Sequence, residues 1–289
     1  MKDIGNLDVF LGIKFSISPD YIVMDQISFI EKILDRFDMQ DCKTKTIPCD
    51  VSVAQLTVDD TECSDPKFYR EIVGSLIYLM TSTRPDLAYV VTFLSQFMSK
   101  PQVSHLNVAK HVLRYLKYSI DYSLTFKRCS SVELSGYCDA DWATTKSFDG
   151  RSVSGFAFSL NDSGPLISWK CRKQSVVSLS SCEAEYVSVA HAIQEGLHLR
   201  QLLSDMTGQK VQPILLRVDN LSAISIAKNP ITNQRSKHIN VKYHFIRDYV
   251  KADDVILEFV PSQNNVADMF TKPCTREKLL RFSCIRGHI

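Results

Sequence analysis

Asp139 and Asp141 stand two residues apart at the end of a short apolar-alternating run, residues 132–137, and are followed by Trp142. An extended backbone sends alternate side chains to one face, so both carboxylates leave the strand end on the same side. Three further acids, Glu185, Asp219 and Asp268, each fall at a junction between expected elements. Carboxylates gathered from strand and helix ends are the donors a hard divalent cation takes. We read Asp139 as the first of a four-carboxylate site that binds two Mg²⁺ ions and cleaves a phosphodiester. Each acid also has a plain role. Asp139 and Asp141 suit a turn or cap after a strand. Asp219 suits an N-cap, and Asp268 the first turn of a helix, where a carboxylate favours the dipole. With 32 acids in 289 residues, the set gains weight only from a shared topology.

The elements that must position these acids follow in a clear order. Strands are expected at 132–138, 153–160 and 165–169, then a long helix at 181–206. A strand at 213–218 runs into a short helix at 220–228. A helix at 239–251, a strand at 255–260 and a helix at 264–271 complete the order. Ser180-Ser181-Cys182-Glu183 fits a capping box, which occupies Glu183 at its own helix start. Residues two apart on a helix point roughly 200° apart, so Glu183 and Glu185 cannot share a site. Glu185 borders the apolar face formed by Tyr186, Val189, Ala190, Ile193 and Leu197, and is the better choice. Asp219-Asn220 closes a strand, and strand C-terminal ends are where open α/β sheets place ligands.

Upstream, two short strands at 9–15 and 21–24 flank the turn Ser18-Pro19-Asp20. Ile27, Ile30, Ile33, Leu34 and Phe37 then recur at helical spacing, and residues 40–65 read as an irregular connector. Three more helices follow, over 69–81, from Pro85 through Phe97, and from Val103 through Leu116. Lys110, Arg114 and Lys117 line one flank of the last, as a solvated face or as a ridge against phosphates. Residues 127–131 form a plausible junction between two domains.

The hydrophobic share of 45% and charged share of 23% are those of a soluble globular chain. The net charge of +2 makes no case for a polyanionic partner, so that case has to come from local clusters. Between Lys228 and Lys251, the cations Arg235, Lys237, Lys242 and Arg247 oppose Asp248 alone, with His238, Tyr243 and His244 interleaved. Cations among aromatics suit a nucleic-acid backbone with stacked bases; a solvated basic helix fits equally well. The histidines do not form H-E-x-x-H and are not read as zinc ligands. Nine cysteines, with no C-x-x-C pair, argue against a disulfide framework or a zinc ribbon and for a reducing compartment. No signal-peptide core and no apolar run of membrane-spanning length are visible. An intracellular chain with no membrane partner is therefore expected.

Several runs along the chain carry a resemblance. They include Phe10-Leu11-Gly12-Ile13, Tyr69-Arg70-Glu71-Ile72-Val73-Gly74-Ser75-Leu76-Ile77-Tyr78, Thr83-Arg84-Pro85-Asp86-Leu87-Ala88 and His111-Val112-Leu113-Arg114-Tyr115-Leu116-Lys117. Further along come Asp139-Ala140-Asp141-Trp142-Ala143, Ser180-Ser181-Cys182-Glu183-Ala184-Glu185-Tyr186, Val218-Asp219-Asn220, Lys237-His238-Ile239 and Ala267-Asp268-Met269-Phe270-Thr271-Lys272-Pro273. Together these resemble the C-terminal part of the polyprotein of copia-type LTR retrotransposons, nearly end to end.

The resemblance implies an α/β fold. A ribonuclease H-like mixed five-stranded sheet with flanking helices would occupy 132–275, followed by a tail at 276–289. Residues 1–127 would be the end of a reverse transcriptase, a mainly helical thumb-like region with an N-terminal β-hairpin that contacts the primer. The family's catalytic and metal-binding carboxylates carry over as Asp139, Glu185, Asp219 and Asp268, with Asp141 secondary. The implied activity is a metal-dependent endoribonuclease acting on the RNA strand of RNA–DNA hybrids, with two Mg²⁺ or Mn²⁺ ions. Asn220, Arg235, Lys237, His238 and Lys242 would contact the nucleic acid. The family's polymerase centre is expected upstream of this stretch, and the fingers and palm of the parent polyprotein are the expected partner. A cytoplasmic location, in particles of the parent element, or a nuclear one follows from the same resemblance. The alternative is a catalytically inactive nucleic-acid-binding remnant or host-coopted structural module. Departures from the family pattern include Cys171, Cys182 and Cys274, and the lack of a histidine between Pro261 and Asp268.

Overall fold

The structure is a computed structural model that describes residues 5, 7–56, 61–129, 132–142, 150–162, 164–228, 237–281 and 286–287. The chain divides into two compact units, one of Met1–Ser130 with Pro273–Ile289, the other of Ser131–Lys272.

The first unit opens with β1 (Val9–Phe10), β2 (Ile13–Ile17) and β3 (Tyr21–Asp25). A single strand is expected across 9–15, but the chain reverses at Leu11-Gly12. Both residues take left-handed backbone, φ 49° and 76°, and Phe10 pairs directly with Ile13. Two such residues in succession make the tight hairpin whose twist matches its strands. The Tyr78 hydroxyl donates to the Leu11 carbonyl and holds this reversal. Helices α1 (Ile27–Arg36), α2 (Pro66–Ser82), α3 (Ala88–Ser95) and α4 (Val103–Tyr118) follow. Asp65 caps α2 by accepting from the Phe68 amide at 2.9 Å, with Pro66 in the first turn. Their apolar faces meet over Tyr69, Ile72, Val73, Leu76, Leu87, Leu94, Val112 and Leu116, all buried.

Inside that core lies a charged group. Arg84 is fully buried and grips both Asp86 oxygens at 3.0 and 2.7 Å, while Tyr115 donates to the same carboxylate at 2.8 Å. Its remaining reach goes to the Ser119 carbonyl and hydroxyl. On α4, Arg114 and Lys117 donate to the backbone carbonyls of Lys43 and Cys42, so these two cations clamp the connector rather than line a free ridge. Lys110 alone of that stripe is exposed. No strand is expected from the sequence at β4 (Tyr122–Lys127), which pairs with β3 and with β10 (Arg286–Gly287); the antiparallel order is β1-β2-β3-β4-β10. The short helix α9 (Arg276–Arg281) precedes β10 in the same unit.

The second unit holds β5 (Ser135–Asp141), β6 (Val153–Ser159), β7 (Leu166–Lys173), α5 (Ser181–Thr207), β8 (Ile214–Val218), α6 (Leu221–Lys228), α7 (Lys237–Lys251), β9 (Val255–Phe259) and α8 (Asp268–Thr271). Its sheet runs β7-β6-β5-β8-β9, antiparallel across β7, β6 and β5 and parallel from β5 to β9. This is the mixed five-stranded, ribonuclease H-like sheet expected from the sequence. One face carries Cys138, Phe156, Phe158, Leu216, Val218 and Leu257 against Tyr186, Val189 and Ile193 of α5, with Ile224 of α6 and Ile246 of α7 in the same core. Gly155 alternates to the opposite face. A side chain there would meet Phe270 and Thr271 at 2.7 and 3.0 Å, so the missing Cβ is what lets α8 lie against β6.

Several boundaries differ from expectation, and two of these differences bear on the site. The strand expected at 132–138 is shifted to β5, because pairing with β6 continues through Asp139↔Gly155 and Asp141↔Val153. The helix expected at 264–271 is broken into a 3₁₀ turn, Ser262–Asn264, and the single turn α8. Asn265 separates them, its side chain accepting from the Ala267 amide at 3.0 Å. Among the described residues, no helix is long and apolar enough to cross a membrane.

Candidate metal centre

The register of two parallel strands creates the site. Cys138 of β5 pairs with Val218 of β8, and each is followed by an aspartate. Beyond that pair β8 ends while β5 continues along β6, so Asp139 and Asp219 emerge side by side at the end of the parallel strands. Glu185 comes from α5, whose start is set by Ser180 accepting from the Glu183 amide at 3.2 Å. Glu183 in turn accepts from the Leu179 amide at 2.8 Å, which removes it from the site as its spacing requires. One turn beyond Glu185, the Ser188 hydroxyl donates to the Asp139 carbonyl at 2.7 Å and lies 3.3 Å from that of Gly155. Helix and sheet are thereby fixed next to the carboxylates.

Asp139, Glu185 and Asp219 each offer one oxygen within 4.8 Å of the other two. Asp139 is 2% and Glu185 7% exposed, and Asp219 is half-buried. Burial, then the charges of Asp139 and Asp219, pushes the Glu185 carboxyl up to about 9, against a backbone hydrogen bond at Ala140 and the Lys272 ammonium. Burial also raises Asp139, opposed by Lys272 and by the Thr271 hydroxyl, which donates to its Oδ2. Burial thus disfavours the charged forms of Asp139 and Glu185, which a bound cation would favour. Glu185 Oε2 is buried with no hydrogen bond among the described residues. The donors are oxygens, with no imidazole or thiolate in the cluster among the described residues. Cys138 is adjacent, but its Sγ lies 3.9 Å from the Arg217 carbonyl. An all-oxygen set with an orphaned carboxylate oxygen fits Mg²⁺ or Mn²⁺ and does not favour zinc.

The fourth expected acid stands apart. Asp268 opens α8, is 2% exposed, and its Oδ1 is 2.6 Å from Lys272 Nζ. It is not among the carboxylates that converge within 4.8 Å. Asp141, at the end of β5, is half-buried and acts on Asp139 through its charge.

The expected nucleic-acid contacts are described unevenly. Asn220 is half-buried and its Oδ1 accepts from the Ala223 amide at 2.9 Å, capping α6. Arg235 lies outside the described residues. Lys237, His238 and Lys242 belong to α7, but their side chains lie outside what is described. Arg247 donates to the Ile226 carbonyl at 3.3 Å and joins α7 to α6.

Several residues that hold the site are not among those expected from the sequence. Gln174 is 1% exposed and donates to Ser154 at 2.8 Å and to the Ala184 carbonyl at 2.9 Å, tying the first turn of α5 to β6. It accepts from Ser178, whose carbonyl in turn accepts from the Trp142 indole at 2.9 Å. No local pattern marks a glutamine for this role. Thr271 and Lys272 lie in one of the runs that carried the resemblance, which was the available signal.

No protein-family model matches the chain. It is similar to the Retrovirus-related Pol polyprotein from transposon RE1 of Arabidopsis thaliana, 36% identical over 98% of this chain and 19% of that protein. The Pol polyprotein from transposon TNT 1-94 of Nicotiana tabacum is 33% identical over 96% of this chain and 21% of that protein. The chain thus spans about a fifth of the length of these relatives. Among solved structures, the foamy viral protease-reverse transcriptase dRH in complex with double-stranded DNA aligns with a TM-score of 0.50 at 10% identity, over 87% of this chain and 37% of that one. LC11-RNase H1, isolated from compost, aligns with a TM-score of 0.36 at 13% identity, over 48% of this chain and 91% of that one.

Proposed function

The chain belongs to the Pol polyproteins of copia-type retrotransposons, and on that premise we propose that its ribonuclease H-like unit is a metal-dependent endonuclease that hydrolyses the RNA strand of RNA–DNA hybrids. The observation that carries the proposal is the convergence of Asp139, Glu185 and Asp219 within 4.8 Å, with a buried Glu185 oxygen that has no hydrogen bond among the described residues. Asp139, Glu185, Asp219 and Asp268 would hold two Mg²⁺ or Mn²⁺ ions. Bound there, the ions supply Lewis-acid polarisation of the phosphodiester and lower the pKa of a water nucleophile. The chain's own residues do the positioning. Ser188 and Thr271 hold Asp139 from its backbone and from its side chain. Gln174 holds the helix turn that delivers Glu185. Asn220, Arg235, Lys237, His238 and Lys242 contact the nucleic acid, and selectivity for the RNA strand comes from its 2′-hydroxyls and groove shape.

The ribonuclease segment is assigned to 132–275 and the reverse-transcriptase remnant to 1–127, the latter taking fingers and palm from the parent polyprotein as partner. Cleavage of a labelled hybrid by the full chain, with Mg²⁺, with Mn²⁺ and with EDTA, tests the activity. Metal-dependent cuts that vanish in Asp219→Asn support it. A second reading, a nucleic-acid-binding remnant without catalysis, rests on Asp268 standing apart from the other carboxylates. Hybrid binding by a folded chain with no cuts in any metal would favour that reading.

A further inference from the structure

Asp268 and Lys272 bracket the one turn of α8, and their ion pair is 2.6 Å long. An i,i+4 pair usually supports a longer exposed helix. This helix has four residues, and the Asp268 side chain is 2% exposed while that of Lys272 is 44% exposed. The lysine therefore reaches in from solvent to pair with a buried carboxylate. The same ammonium acts on Asp139 and Glu185, opposing the effect of burial at both. A positive group thus stands where the proposed metal site meets Asp268.

We infer that Lys272 is a built-in competitor for the second divalent ion. It holds Asp268 while that ion is absent and has to leave the carboxylate before Asp268 ligates a metal. This deepens the metal-site reading and rests on it. The two ions then bind unequally. Asp139, Glu185 and Asp219 take the first without breaking an ion pair, whereas the second has to displace the lysine. Catalytic competence becomes a threshold in divalent-ion concentration, set by an ion pair on a one-turn helix.

The test is metal binding by the full chain, measured by electron paramagnetic resonance of free Mn²⁺ and by calorimetry with Mg²⁺. Wild type is expected to bind one ion and then a second at least tenfold more weakly. Lys272→Met is expected to tighten the second ion at least fivefold and the first by a smaller factor. Lys272→Arg keeps the cation and retains the gap, and Asp268→Asn loses the second ion. If Lys272→Met does not fold, Lys272→Gln replaces it with the same expectation. A lysine that merely orients Asp268 gives the opposite sign, since its removal weakens the second ion. Second-ion affinity that is weaker or unchanged therefore overturns the inference while leaving the metal site standing. Failure of wild type to bind any divalent ion overturns both.

Discussion

The Asn265 side-chain amide donates to the Cys138 carbonyl at 2.9 Å, joining the loop before α8 to the residue that precedes Asp139. The same side chain accepts from the Ala267 amide, and Asn265 is 0% exposed. Asn265→Ala leaves buried backbone groups without these partners and is expected to cost about 1–3 kcal/mol. Urea unfolding of the variant checks this; a change within error would mean that the loop is held by other contacts.

Asp139→Asn removes one charge from the cluster while keeping its size and its bond to Thr271. Hybrid cleavage is expected to fall by about a hundredfold or more, equivalent to roughly 3 kcal/mol of transition-state stabilisation. Hybrid affinity should stay within about twofold, because the cations proposed to bind phosphate lie elsewhere in the sequence. Single-turnover cleavage and filter binding on the same preparation separate the two.

The Glu185 carboxyl, raised from 4.5 to about 9, ties stability to pH in the metal-free protein. Between those values the folded state keeps a proton that the unfolded chain has released. Its stabilising contribution is fully present below 4.5 and is lost as pH rises through about 9. Thermal melts in EDTA should therefore fall as pH rises, and Glu185→Gln should flatten the slope. Divalent-ion affinity should move the opposite way and strengthen with pH, since the metal takes the proton's place.

Gly155→Ala places a methyl 2.7 Å from Phe270 Cβ and 3.1 Å from the Ala267 carbonyl oxygen. Neither neighbour is the end of a flexible side chain, so α8 has to shift from the sheet. A loss of about 1–3 kcal/mol is expected, with weaker Mn²⁺ binding because Thr271 and Asp268 move with the helix. An unaltered melting temperature would show that α8 adjusts freely.

In the first unit, Arg84→Met leaves the Asp86 carboxylate buried without its cation. Breaking one side of a buried ion pair costs about 3–5 kcal/mol. Guanidinium unfolding followed by tryptophan fluorescence would miss this, because Trp142 and Trp169 both lie in the second unit. Hydrogen exchange on α2 and α4 is the suitable readout, and unchanged protection there would count against the buried pair as a stabilising element.

Much of the second unit was legible because its elements are long and periodic. Glu185 was separable from Glu183 because a helix turns about 100° per residue, and the cap at Ser180 accounts for the other acid. The first unit was less legible. β4 follows α4 after a brief turn and ends in Lys127, which read as the start of a linker. The reversal at Leu11-Gly12 interrupts an apolar run that alternation alone continues. The Lys272 ion pair and the Gln174 clamp depend on where distant segments pack, and spacing along the chain does not encode that.

The pairing of β4 with β10 also sets an order of assembly during synthesis. On a ribosome the first unit emerges early, yet the outer edge of β4 stays open until the entire second unit has been translated. An unpaired edge exposed for that interval is a template for pairing between chains. The nascent first unit is therefore most vulnerable to association with its neighbours just when the nuclease-like unit is being made, and truncation after Lys272 would make that vulnerability permanent.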